Sequence, residues 1–284
     1  MQTLLRNKTT EVKIDGAGPL VVIGEKINPT GCRELAQALQ EHDLDYVRRL
    51  ALRQVEAGAS VLDVNVGVPG LDEVALLPEV AQVVAAAVDV PLCLDSANPK
   101  ALAAALATVP GKVLVNSVTG EDASLQSVLP LIKAHGAAVI GLTIAGSGIP
   151  ATPEERLAIA EKILERAVQL GIPPADVVID PLVLTVGADG EAGRTTLRAI
   201  ELIRRELGLN INLGASNISF GLPERHLINQ AFLAMAASAG ATCVITDPVR
   251  LTGTIRAVDL LLGHDQYARR YISYYRQQVP RNAR

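Results

Sequence analysis

Eight short aliphatic runs recur along this chain, and nearly every one stops on an acidic, amide or hydroxyl residue. They are VVIGEKIN (Val21 to Asn28), VLDVNVG (Val61 to Gly67), PLCLDS (Pro91 to Ser96), VLVNS (Val113 to Ser117), AVIGLT (Ala138 to Thr143), VVIDP (Val177 to Pro181), INLGASN (Ile211 to Asn217) and CVITDP (Cys243 to Pro248). Stretches of helical periodicity separate them. Strands that alternate with helices pair in parallel, because a parallel neighbour needs a long crossover. Eight such units are the number that closes the sheet on itself, so the expected fold is α/β, a single (β/α)8 TIM barrel. Barrels of this kind work at the C-terminal ends of their strands, which makes the polar residues ending each run the leading site candidates.

At 284 residues the chain exceeds the roughly 250 typical of one barrel, leaving room for a short N-terminal extension and a C-terminal helix. Residues 1–18 read as a strand-like arm or lid, since TEVKI alternates and DGAGP marks a turn; residues 19–284 read as the barrel with its final helix. Helices are expected after Gly31, with Asp45 to Glu56 the clear amphipathic part, and over Leu71–Val88, Asn98–Val109, Asp122–Gly136, Thr152–Gly171, Arg194–Gly208 and Arg225–Gly240. A last one is expected from His264 to Val279, carrying four of the five tyrosines. The apolar content is mainly Ala, Val, Leu and Ile, with two Phe and no Trp, which suits a filled barrel interior.

A net charge of −4, without a basic face or stacking aromatics, argues against nucleic acid. Cys32, Cys93 and Cys243 are too scattered for a disulfide scaffold or a zinc site, and a reducing cytoplasm is the expected location. The N-terminus has no apolar stretch of signal-peptide length and no run long enough to span a bilayer, so no membrane role is expected.

In strand order the mouth offers Glu25 and Asn28, Asp63 and Asn65, Asp95 and Ser96, Asn116 and Ser117, Thr143, Asp180, Ser216 with Asn217, and Asp247. Lys26 alternates away from Glu25, to face the helices or to pair locally. His42, His135, His226 and His264 fall in helices or loops, so the site is expected to contain no histidine. No H-x-H, H-E-x-x-H or carboxylate run suggests a bound metal. Carboxylates and amides together suit a neutral heterocycle with several N–H donors, because one carboxylate accepts two adjacent N–H groups side by side. Asp95 and Asp180, with Asn116 between them in strand order, are placed to clamp such an edge. Helix capping is the competing role for Asp95 and Asp247, a hydrogen bond to loop backbone for Asp63, and an Asx turn or left-handed residue for Asn217.

These segments resemble a known family. GEKINPTG (Gly24 to Gly31), DVNVG (Asp63 to Gly67), LCLDS (Leu92 to Ser96), VNS (Val115 to Ser117), IGLT (Ile140 to Thr143) with GIP (Gly148 to Pro150), IDPL (Ile179 to Leu182), LGASNIS (Leu213 to Ser219) and RHLINQAFLAMA (Arg225 to Ala236) are similar, in order, to the pterin-binding methyltransferases. Those enzymes move a methyl group from 5-methyltetrahydrofolate to a corrinoid protein. The resemblance spans about Val21 to Leu262. It implies that Asp95, Asn116 and Asp180 hold the pterin ring, that Asn217 reaches N5, flanked by Ser216 and Ile218, and that Arg225 lies near the aminobenzoate. Glu25, Asn28, Asp63 and Asn65 complete the expected substrate-binding set. Dihydropteroate synthase is the nearest alternative. It needs an Asn-x-Thr-Pro-Asp-Ser-Phe loop that Asn28-Pro29-Thr30-Gly31 does not supply, and a basic residue where this chain has Asn217.

The implied acceptor is Co(I), a strong nucleophile, which accounts for a mouth without a nucleophilic side chain. No D-x-H-x-x-G segment is present to ligate cobalamin, so the corrinoid is expected to arrive on a partner protein, with tetrahydrofolate as substrate and no bound metal. A folate-binding protein without turnover is a second alternative; a barrel lyase or aldolase lacks its Schiff-base lysine at a strand end. Leu76 to Val88 and Asn229 to Gly240 are apolar around most of their circumference, which predicts a homodimer.

Overall fold

The computed structural model describes residues 1–146 and 148–278; Val279, the expected end of the tail helix, and the rest of the chain to Arg284 lie outside the described residues. The chain opens with an antiparallel hairpin, β1 (Gln2–Arg6) and β2 (Glu11–Asp15). Eight parallel strands follow: β3 (Val21–Ile27), β4 (Val61–Val64), β5 (Leu92–Asp95), β6 (Leu114–Thr119), β7 (Ala138–Leu142), β8 (Val177–Asp180), β9 (Asn210–Ile211) and β10 (Cys243–Thr246). Their order is β10-β3-β4-β5-β6-β7-β8-β9. The remaining seam is closed by Thr242 N donating to Ile211 O (3.0 Å) and Ile245 N to Leu213 O (2.8 Å).

Around the barrel run α1 (Arg33–Gln40), α2 (Leu44–Glu56), α3 (Glu73–Ala87), α4 (Pro99–Leu106), α5 (Asp122–His135), α6 (Pro153–Gln169), α7 (Ala192–Leu207), α8 (Arg225–Ala239), α9 (Pro248–Leu261) and α10 (Arg269–Gln278). Local chemistry sets their ends. Thr152 and Glu155 cap α6 reciprocally, and Gly136 and Gly208 end α5 and α7 in the left-handed conformation. The first expected helix is two, because the Asp43 carboxylate accepts from Tyr46 N and starts α2 afresh. α9, which the sequence reading did not name, begins where Asp247 accepts from Val249 N. A 3₁₀ turn (Gln266–Ala268) precedes α10.

Strand alternation divides the core in two. The inner layer gathers Val21, Ile23, Val61, Cys93, Leu114, Ala138, Ile140, Val178 and Cys243 together with Leu5 and Ile14 of the hairpin. The outer layer, between strands and helices, holds Val22, Leu62, Leu94, Val115, Val139 and Ile179 among many others. The hairpin therefore closes the barrel floor and is not a lid over the mouth. Arg6 and Lys112, just before β6, exchange backbone hydrogen bonds of 3.0 and 2.7 Å. Thr3 donates to Ala175 O, just before β8, at 2.5 Å.

Candidate active site

The alternation that buries Ile23, Cys93, Leu114 and Val178 brings the next inward position of each strand to the C-terminal mouth. Those positions are Glu25, Asp95, Asn116 and Asp180; Asp63 stands one layer lower, paired in register with Cys93. Asp95 is paired with Asn116, and Leu142 with Asp180, across neighbouring strands. Leu142 thus takes the inward place on β7. Thr143 is fully buried beyond it, its hydroxyl without a partner among the described residues.

Three amides at the mouth are oriented by carboxylates. Asn65 Nδ2 donates to Asp95 Oδ2 at 3.0 Å, Asn116 Nδ2 to Asp63 Oδ1 at 3.3 Å, and Asn212 Nδ2 to Asp180 Oδ2 at 2.8 Å. Asn65 also accepts from Gly67 N, and Asp180 Oδ1 from Leu182 N, both at 2.8 Å. With its NH₂ turned to Asp63, Asn116 is left with its carbonyl oxygen as an acceptor. Asp95 and Asp180 keep spare lone pairs, since an ionised carboxylate has about four acceptor sites. The mouth presents acceptors and asks for a ligand edge rich in donors.

Asp95 caps no helix: α4 is capped by Asn98, whose side chain accepts from Lys100 N, while Ser96 accepts from Asn98 N. Asp247 does cap α9, and it also binds Lys26 at 3.0 Å, so Lys26 pairs locally. Asp63 faces inward and makes no bond to loop backbone among the described residues. Asn28 accepts from Thr30 N within its own loop.

Burial governs the acidities. It raises Asp180 to about 6 against the opposing bonds from Leu182, Asn212 and Gly214 and the charge of Arg156. It raises Asp95 to about 6 as well, opposed by the Asn65 bond. Asp63 is driven well above the carboxylate range by burial and then by Asp95 beside it. Glu25 is raised by burial, with the Lys26 charge opposing. N–H donors from a ligand would supply the solvation these groups lack.

The expected seventh strand is shorter than its sequence suggests. β9 stops at Ile211, and Ala215–Ser219 forms a 3₁₀ turn. Ser216 on this turn donates to both Glu25 oxygens at 3.3 and 3.4 Å. Arg225, the first residue of α8, clamps the turn by donating to Ser216 O (2.7 Å) and Ser219 Oγ (3.1 Å). Asn217 is exposed, and its side chain makes no hydrogen bond among the described residues; it forms no Asx turn and its φ is not positive.

Three residues escaped the sequence reading. Asn212 occupies the inward position after Asn210 and was legible from the alternation. Arg156 is 1% exposed and donates to Pro150, Pro181 and Leu182 carbonyls at 3.1, 2.9 and 3.0 Å, pinning two mouth loops. Its signal was its place on the buried helical face of Ala160, Ile163 and Ala167. His226, contrary to the expectation of a mouth without histidine, lines a cavity beside Glu25 and Ser216, because α8 begins at the rim.

Among the described residues no group of three or more His, Cys, Asp or Glu is arranged to hold a metal ion, and no helix is long and apolar enough to cross a membrane. All three cysteines are free thiols.

The chain is similar to known proteins over most of its length. Residues 24–247 match the family model of pterin binding enzymes. A methylcorrinoid:tetrahydrofolate methyltransferase of Eubacterium limosum is 34% identical over 263 residues, covering 91% of this chain and 97% of that protein. The methionine synthase of Mycobacterium tuberculosis is 32% identical over 239 residues, 80% of this chain but 20% of that much longer enzyme. Among solved structures, Yersinia pestis dihydropteroate synthase with a sulfonamide drug complex superposes with a TM-score of 0.70 at 16% identity, covering 92% of this chain and 99% of that one. At that identity the likeness is one of fold.

Proposed function

The chain belongs to the pterin-binding enzymes, in the branch of methyltransferases that work between tetrahydrofolate and corrinoids, and from that premise we propose that it moves the N5 methyl group between 5-methyltetrahydrofolate and the cobalt of a separate corrinoid protein. The observation that carries this reading is the acceptor-rich mouth. Asp95, Asn116 and Asp180 take the donor edge of the pterin, with Asp63, Asn65 and Asn212 fixing their orientation from behind. Glu25 and Ser216 support the turn that presents Asn217, and Asn28 shapes the loop after β3.

When the partner docks, its cobalt supplies the nucleophile; this chain supplies binding and the environment of N5. As the carbon–nitrogen bond breaks, its electron pair stays on N5, which becomes a better hydrogen-bond acceptor. Asn217, with donor and acceptor atoms both unused, meets N5 there, or its protonated form through the carbonyl oxygen. Asn217 and its neighbour Phe220 are exposed, leaving the methyl accessible to a large cofactor brought by another protein. Asn217→Ala should lower the transfer rate by about 10²–10³ with little change in folate affinity. Stopped-flow absorbance of the corrinoid, set beside calorimetry, measures both; an unchanged rate removes Asn217 from N5, and equal losses make its role uniform binding.

The free thiols fit a reducing cytoplasm. The homodimer is assigned to α8, where Leu227 and Met235 are 66% and 55% exposed along one face, beside an apolar groove of about 470 Å³ against α7. α3 takes no part, because Leu76, Leu77, Val80 and Val84 are covered within the chain. Sedimentation at micromolar concentration should give about twice the chain mass of 29.9 kDa; a single species at the chain mass refutes the dimer.

A further inference from the structure

Among the described residues Arg156 is the one buried cation, 1% exposed on the core face of α6 beside Ala160 and Ile163. No carboxylate stands within ion-pair distance of it there. Its guanidinium donates to the Pro150, Pro181 and Leu182 carbonyls and, at 3.4 Å, to Thr196 Oγ1. A buried charge without a paired counter-charge is costly, and a leucine or methionine at that place would serve the fold as well or better. What the guanidinium holds is the segment just past Asp180.

Leu182 lies two residues beyond Asp180 and has a φ of 68°. That left-handed conformation is unfavourable for a leucine and persists only where the surroundings impose it. Its carbonyl accepts from Arg156 Nη1 at 3.0 Å and from Thr196 Oγ1 at 3.1 Å. Its amide donates to Asp180 Oδ1 at 2.8 Å, while Asn212 fixes Oδ2. Contacts thus run without a gap from Arg156, through one strained residue, to the carboxylate at the mouth.

On the folate reading of the mouth given above, we propose that Arg156 is a positioning residue. Through left-handed Leu182 it sets the orientation of Asp180, and its charge favours the ionised carboxylate that the pterin edge requires. The other neighbours of Asp180 carry no charge. Leu142 on β7 is apolar, Asn212 past β9 is neutral, and burial pushes the Cys243 thiol on β10 far up, so it stays protonated. Arg156 is the cation acting on Asp180, and Asp180 the anion acting on Arg156.

Calorimetry of the full chain with 5-methyltetrahydrofolate from pH 5 to 8 separates the two roles. Arg156→Lys keeps the charge and gives up the planar fork; Arg156→Met gives up both. Arg156→Lys should weaken folate by about fivefold at every pH, with the acid limb in place. Arg156→Met should weaken it by about tenfold at pH 7 and move the acid limb up by about one pH unit, since Asp180 then keeps its proton to higher pH. Glycine adopts positive φ without strain, so in a Leu182→Gly background Arg156→Lys should cost less than about twofold. Should the Arg156 variants fold poorly, Thr196→Val removes the other donor to Leu182 O and should weaken folate by about threefold with the limb unmoved. If the Arg156 variants lose thermal stability while affinity and its pH limb stay as in wild type, or if Thr196→Val leaves affinity unchanged, the positioning role is overturned and the pterin site stands. Equal losses with and without Leu182→Gly overturn the route through Leu182. If wild type binds no folate, the folate reading falls and the role of Arg156 with it.

Discussion

Asn210 and Asn212 lie two residues apart where β9 meets the barrel interior, both buried and both facing inward, yet they do different work. Asn210 gives its NH₂ to Thr3 Oγ1 at 2.9 Å and to Ile14 O at 2.8 Å, tying the hairpin to the barrel floor. Asn212 gives its NH₂ to Asp180 at 2.8 Å, and that carboxylate still faces an open mouth. The floor is covered by Leu5 and Ile14, so polar groups there serve the fold. The mouth has no such cover, and the polar groups there are oriented but left with acceptors to offer. Identical side chains two residues apart, at and just past the end of β9, thus tie down the floor or face the mouth according to what closes each end.

The largest effect that would break this contrast is expected at the mouth. Asp180→Asn should weaken folate binding by roughly 2–5 kcal/mol, since an amide there sets donors against donors. The same measurement taken against pH sharpens it. Burial pushes Asp95 and Asp180 up to about 6, above the ordinary aspartate range. Below about pH 6 they gain protons and lose the charge that accepts a donor edge, so wild-type affinity should fall toward acid with a slope approaching two protons, and that of Asp180→Asn with one. Stability runs the other way. Between the two pKa values the native state holds more protons than the unfolded one, so these two groups favour folding as pH falls from 7 toward 4 and that contribution is lost as pH rises through 6. Affinity that is flat from pH 7 to 5, or indifferent to Asp180→Asn, would make Asp180 a structural residue like Asn210.

A smaller effect is expected at the floor. Leu5→Ala should cost about 3 kcal/mol of stability by leaving a cavity under the barrel, with folate affinity unchanged. Chemical denaturation beside calorimetry measures both. Loss of affinity equal to the loss of stability would mean that the two ends are not independent.

Much of the site was legible because period-two alternation is a local rule. The same rule that sends Cys93 and Val178 inward puts Asp95 and Asp180 at the mouth, and Asn212 follows from it as well. Arg156 was harder, because a cation on a buried helical face has meaning only once the loops it binds are known. Of the strand expected over Ile211–Asn217, only Ile211 lies in β9. Ser216 and Arg225 draw that segment into a 3₁₀ turn, through partners 191 and 9 residues apart in the chain.

The sequence by itself determined the repeating strand and helix units, their number and the polar ending of each strand, since all three depend on periodicity and on neighbours in the chain. Only the tertiary structure decided that residues 1–15 close the floor instead of covering the mouth, that Asp247 caps α9 while Asp95 stays available, and that His226 and Asn229 line a cavity beside Glu25. Those outcomes depend on which surfaces meet when the barrel closes, and burial and hydrogen-bond satisfaction are settled by contacts between residues far apart in the chain, which no local pattern encodes.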